Sequence, residues 1–162
     1  MAIVILSFRS DLEYKDILDG KLKMLIPADF IHVPKGSYKL HYIGDRAPDE
    51  FYCNKDTSEY LALEQLPKIT VNFSHVKEES VRLAWSDTIN NKVHFNDTIT
   101  INGNKIYLLE TDGMDSGKFK ATKTFIMNTN DGAVLGVISC DIGLKQAWAP
   151  ISDRMLKSIK LN

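Results

Sequence analysis

The stretch from Thr98 to Cys140 constrains this chain more than any other. It alternates apolar and polar residues with the period of a half-buried strand and is cut at intervals by turn residues. Ile99 and Ile101 alternate with Thr98 and Thr100, and Asn102–Gly103 follows at once, supplying the positive φ of a tight hairpin. Lys105–Glu110 runs back, with Ile106 and Leu108 on one side and Tyr107 and Leu109 on the other. Gly113 and Gly117 are expected to bracket a polar loop before a third strand, Phe119–Met127. Phe119, Ala121, Phe125 and Met127 share one face of that strand, while Lys120, Thr122, Thr124 and Ile126 share the other. Asn130–Asp131–Gly132 marks another turn, and Ala133–Cys140 is apolar on both faces, which places it in the middle of the sheet. Hairpin after hairpin fixes an antiparallel order.

The remaining elements are read around that meander. Ala2–Phe8, Lys21–Ile26, Tyr38–Ile43, Glu50–Asn54 and Ile69–Phe73 are expected strands, with Leu22, Met24 and Ile26 on one face of the second. Tyr60–Gln65 is ambiguous, and Ser10–Gly20 is a charged connector, either a helical turn or an irregular loop. In Glu78–Asn90 the spacing becomes helical through Val81, Ala84, Trp85 and Ile89, with Glu78 and Glu79 expected in the first turn. Trp148–Leu161 reads as the helix that covers the meander, with Pro150 at a first helical position and Ile151, Met155, Leu156 and Ile159 on one face. The pattern does not alternate as parallel βαβ units would. The fold class is α+β, a mostly antiparallel sheet with two main helices packed on it, in a single domain over residues 1–162.

Composition excludes several function classes. A net charge of −1 with scattered lysines is not the basic footprint of a nucleic-acid binder. No run approaches the ~18 apolar residues that span a bilayer, so no integral membrane segment is expected. Ala2–Leu6 is short, lacks preceding basic residues and is followed by Arg9 and Asp11, so it is read as a strand rather than a signal peptide, and the location as cytoplasmic. Cys53 and Cys140 are expected to be small buried hydrophobes.

Candidate chemistry is sparse. His32, His41, His75 and His94 show no H-x-x-x-H or C-x-x-C spacing, so no metal site is expected, and His94 reads as a residue of an edge strand. Glu110, Asp112, Asp115 and Asp131 could suggest a cation site, but the twelfth residue counted from Asp112 is Lys123, not the glutamate an EF-hand needs. They read instead as solvated turn acids. Gly136–Val137–Ile138–Ser139–Cys140 lacks the closing glycine of a nucleophile elbow. No catalytic residue and no cofactor is assigned. What remains is the outward set of the meander, Thr100, Tyr107, Leu109, Thr122, Thr124 and Ile126, which mixes hydroxyls with apolar groups and is the expected partner-binding platform.

Three segments together resemble a known fold: Gly20–Phe30, a strand ending in proline and then an aromatic; Arg46–Phe51; and the tail Trp148–Ala149–Pro150 with Met155–Ile159. Their order is similar to the PsbP-like fold, shared by photosystem II extrinsic proteins, Ran-binding nuclear-import factors, DcrB-like bacterial proteins and chaperones of type VI secretion effectors. The resemblance covers most of the chain from about residue 20, with Ala62–His75 fitting poorly. It implies an open-faced sheet used for binding, without chemistry of its own. The expectation is a non-catalytic, cytoplasmic protein-binding module, a chaperone or adaptor for a partner such as a secreted effector. Two alternatives stand beside it: an immunity protein that neutralises a toxin, and a small enzyme or ligand carrier with a pocket under Asp112–Gly117. A homodimer mate is a further occupant for the outward face.

Overall fold

The computed structural model describes residues 11–35, 47–86, 92–115 and 117–162, with the backbone alone for 81–86. The expected strands Ala2–Phe8 and Tyr38–Ile43 and the helix end at Asn90 lie outside the described residues. In chain order the elements are β1 (Leu12–Ile17), β2 (Leu22–Pro27), β3 (Ile31–His32), β4 (Glu50–Cys53), β5 (Glu59–Pro67), α1 (Phe73–Ser86), β6 (Lys92–Ile101), β7 (Asn104–Asp115), β8 (Lys118–Thr129) and β9 (Gly132–Asp141). A 3-10 turn (Ile142–Leu144), α2 (Lys145–Lys157) and β10 (Lys160–Leu161) follow. Among the described residues they form a seven-stranded sheet, β3-β4-β5-β9-β8-β7-β6, and a three-stranded sheet, β1-β2-β10. Every described ladder is antiparallel. The α+β class and the antiparallel order therefore stand as expected.

Local chemistry sets the meander. Asn102 and Gly103 turn with φ of 49° and 81°, the left-handed pair that a two-residue hairpin needs. β9 lies between β5 and β8, as its two-sided apolar pattern requires. Gly136 of β9 stands opposite Phe125 of β8, and a Cβ added to it would meet the Phe125 ring at 2.0 Å. The ring lies across a position in the middle of the strand that has no side chain. Gly113 does not open a loop: it continues β7, paired with Lys120, and the ladder runs on to the pair of Asp115 with Lys118. The strands are longer than the polar sequence suggested because opposed pairs such as Met114 and Phe119 extend the ladder to its end.

One face of the large sheet is roofed. Leu61, Leu63, Ile106, Phe125, Met127 and Ile138 of the sheet form one buried cluster with Leu22, Met24 and Ile26 of β2 and Trp148, Met155 and Leu156 of α2. Burying large aliphatic and aromatic side chains of this kind contributes roughly 1.5–3 kcal/mol each. The Ser158 hydroxyl accepts from the Leu25 amide at 2.7 Å and ties the end of α2 to β2. The helix itself differs in extent from expectation. It starts at Lys145, so Pro150 sits inside it rather than at its first position, and it ends at Lys157. Residues 160 and 161 then leave the helix to pair with Lys23 and Leu22.

Two further expectations are corrected. Ser10–Gly20 holds neither a helical turn nor an irregular loop through its middle: Leu12–Ile17 is a strand paired along its length with β2. Ile69–Phe73 is not a strand. Pro67 ends β5, Lys68 has a φ of 61°, and Asn72 then caps a helix that begins at Phe73. The Asn72 carboxamide oxygen accepts from the Ser74 amide at 3.0 Å, so the start lies five residues before the expected Glu78, and neither Glu78 nor Glu79 falls in the first turn. Cys53 and Cys140 are free and buried, in clusters on opposite faces of the sheet.

Candidate functional site

The six outward residues do not form one platform. Leu109, Thr122, Thr124 and Ile126 do come together, since Leu109 pairs with Thr124, and all four lie partly exposed on β7 and β8. The Thr122 hydroxyl is hydrogen-bonded to that of Ser139 at 3.0 Å, which fixes its direction. Thr100 is exposed on the edge strand β6, opposite Lys105 and outside this strip. Tyr107 is only 1% exposed. Its ring stacks on Phe73 of α1, and its hydroxyl donates to Ser80 or Asn96 at 2.8 and 2.9 Å. Burial pushes the Tyr107 phenol up, so the hydroxyl keeps its proton.

The roofed face has a different character where α2 runs out. Alternate residues of β7 on that face read Ile106, Leu108, Glu110, Asp112, Met114, so the strand changes from core to charge to exposed apolar along its length. Asp112 accepts from Lys145 of α2 at 2.6 and 2.8 Å and meets His94 Nε2 of β6 at 2.6 Å. The ladder between β6 and β7 slips at His94, which brings an extra residue to this point. Burial raises the Asp112 carboxyl, but the Lys145 and His94 hydrogen bonds outweigh it and hold the group below the usual carboxylate range. Lys123 of β8 bridges Glu110 and Asp153 of α2 at 2.6 Å each, and these bonds hold its ammonium above the usual range despite burial. Glu110 and Asp112 are thus strand residues with partners, not solvated turn acids.

Beyond these ion pairs the sheet ends in apolar side chains. Met114 and Phe119 face each other across β7 and β8, at 47% and 44% exposure. Val93, Phe95, Ile142 and Leu144 are also exposed, and the register brings their segments to the same end of the sheet. Scattered exposed hydrophobics need no explanation, but these lie toward one end of the sheet. Alternation puts Phe119 on the same side as Ala121, Phe125 and Met127, but the cover stops short of it and its ring is exposed. The run Ile106, Leu108, Glu110, Asp112 was the available signal that the cover stops partway.

Between α2 and the sheet, beside this end, lies a cavity of about 270 Å³. Ala121, Ile138, Cys140 and Trp148 give it an apolar floor, and Asp112, Lys123 and Lys145 line its walls. Burial pushes the Cys140 thiol up to about 11, which keeps it protonated and unreactive. No group of three or more metal-ligating side chains occurs among the described residues. No described helix is long and apolar enough to cross a membrane.

No family model matches the chain, and no curated protein matches it. Solved structures do. The chain is similar to cyanobacterial PsbP from Synechocystis sp. PCC 6803, with a TM-score of 0.64, 11% identity and 94% of each chain covered. It is similar to the Ran-binding protein Mog1p of Saccharomyces cerevisiae, with a TM-score of 0.56, 12% identity, and 94% and 96% covered. LpqN of Mycobacterium tuberculosis, involved in cell envelope biogenesis, matches with a TM-score of 0.55, 9% identity, and 94% and 91% covered. Likeness at such low identity speaks for architecture alone. The two sheets, their order and these matches together establish that the chain has the PsbP-like fold.

Proposed function

We propose that this chain is a non-catalytic protein-binding module, an adaptor or chaperone for a partner protein such as a secreted effector. The partner docks across the open end of the large sheet. The observation that carries this reading is the gathering of Met114, Phe119, Ile142 and Leu144 at one exposed end, rimmed by Asp112 and Lys145. An apolar centre with a polar rim is the usual anatomy of such a contact. The likeness to a Ran-binding protein supports the reading at the level of fold. This placement differs from the threonine-rich platform expected on the opposite face, where α1 already occupies Tyr107.

Affinity capture from the native host, with the recovered protein then purified and titrated, tests the proposal. Met114→Asp with Phe119→Asp is expected to weaken binding by a hundredfold or more, about 3 kcal/mol. Thr124→Arg with Ile126→Arg, on the opposite face, is expected to leave it unchanged. Capture of nothing at micromolar concentration, or the reverse ranking of the two double variants, overturns the assignment.

A further inference from the structure

We infer that the cavity between α2 and the large sheet binds a compact, uncharged, mainly apolar small molecule carrying one hydrogen-bond acceptor. The inference does not depend on the protein partner proposed above. Ala121, Ile138, Cys140 and Trp148 form a floor with little to offer a charged guest. The wall carries two ammoniums, Lys123 and Lys145, and two carboxylates, Glu110 and Asp112. Each is already engaged: Lys145 with Asp112, and Lys123 with Glu110 and with Asp153. An incoming carboxylate or ammonium would therefore give up its hydration and find every counter-charge taken. A neutral ring loses little hydration and gains contact with the floor.

Two donors on the lining can orient such a guest: the buried Trp148 indole N–H, which has no hydrogen-bond partner among the described residues, and the Lys123 ammonium. The Lys123 ammonium has three protons, and its two carboxylate partners take two of them. The third suits a hydroxyl, ether or carbonyl oxygen, which sets the acceptor requirement. The site is shaped by α2 on one side and by β7, β8 and β9 on the other, elements already fixed by the core, so it exists before anything enters.

Three probes of one shape and different charge test the inference: cyclohexanol, cyclohexylammonium and cyclohexanecarboxylate. Binding is read from the indole N–H resonance of Trp148 and the methyl resonances of Ala121 and Ile138. Cyclohexanol is expected to give saturable shifts at these positions, and the two ions to bind weaker by roughly tenfold or more, about 1.4 kcal/mol. Ala149 lines the cavity from the exposed side of α2, so Ala149→Trp is expected to plug it without loss of melting temperature. Ala149→Leu, a smaller plug on the same exposed site, is expected to weaken cyclohexanol in part. Equal response to all three probes overturns the inference. So does an absence of saturable shifts, or shifts that survive Ala149→Trp in a folded protein.

Discussion

Strands β7 and β8 pass through two different environments on one face of the same sheet. In the roofed half, Ile106 and Leu108 lie beside Phe125 and Met127 beneath β2 and α2, and the contacts are entirely apolar. In the open half, the next residues on the same face are Glu110 and Asp112 beside Lys123 and Ala121, then Met114 beside Phe119. Backbone pairing is continuous across both. What changes is the cover, and with it the currency of stability, from buried area to ion pairs and then to exposed apolar surface. An alternating strand tells which residues share a side, and only tertiary packing tells which part of that side is dry.

The sharpest way to break this contrast is to remove cover from the roofed half. Met155→Ala deletes a fully buried side chain of α2 and is expected to cost about 3 kcal/mol in denaturant unfolding. A loss below 1 kcal/mol would mean that α2 is not a structural lid. Overfilling the same half should cost about 2–3 kcal/mol: Gly136→Ala drives a methyl into the Phe125 ring. Phe125→Leu in the same chain should recover part of that loss, and strict additivity of the two changes would contradict the close approach.

In the open half the effects are smaller and depend on pH. Lys145→Met leaves Asp112 with His94 alone, and the expected loss at neutral pH is about 1 kcal/mol, because the Lys145 side chain is 42% exposed. The carboxyl of Asp112 is held low in the folded protein, so its contribution is present above the unfolded value of about 4 and is lost as pH falls through the folded value. The stability gap between wild type and Lys145→Met should therefore close in acid, and a gap that widens in acid would contradict a depressed Asp112 carboxyl. Phe119→Ser, at the exposed end, should change stability by no more than about 0.5 kcal/mol. A large destabilisation there would place Phe119 in the core after all.

Much of the scaffold was legible in the residues. Asn102–Gly103 and Asn130–Asp131–Gly132 located their turns, Leu22, Met24 and Ile26 announced a buried face, and Ala133–Cys140 declared itself central. The failures share a cause. Leu12–Ile17 pairs with β2 although its exposed side is too polar for a strand signature, because its partner supplies the apolar half. Ile69–Val71 has the β-branched composition of a strand but follows Pro67 and a positive-φ Lys68, and local backbone geometry overrode propensity. At the open end, Lys145 and Asp112 are 33 positions apart, and Lys123 and Asp153 are 30 apart. No spacing rule reaches across such separations, so the ion pairs and the cavity they rim emerged only from the fold.

The pairing of β10 with β2 carries a consequence for how the protein is made. Asn162 donates to the carbonyl of Gly20, a contact between positions 142 residues apart, and Leu161 lies opposite Leu22. A nascent polypeptide therefore exposes the hydrophobic side of β2 through the synthesis of nearly everything that follows. At ribosomal speeds of about 5–20 residues per second, that interval lasts roughly 7 to 28 seconds. Greasy surface waiting that long invites sticking to neighbours, so the N-terminal hairpin is where a folding helper would have most to shield.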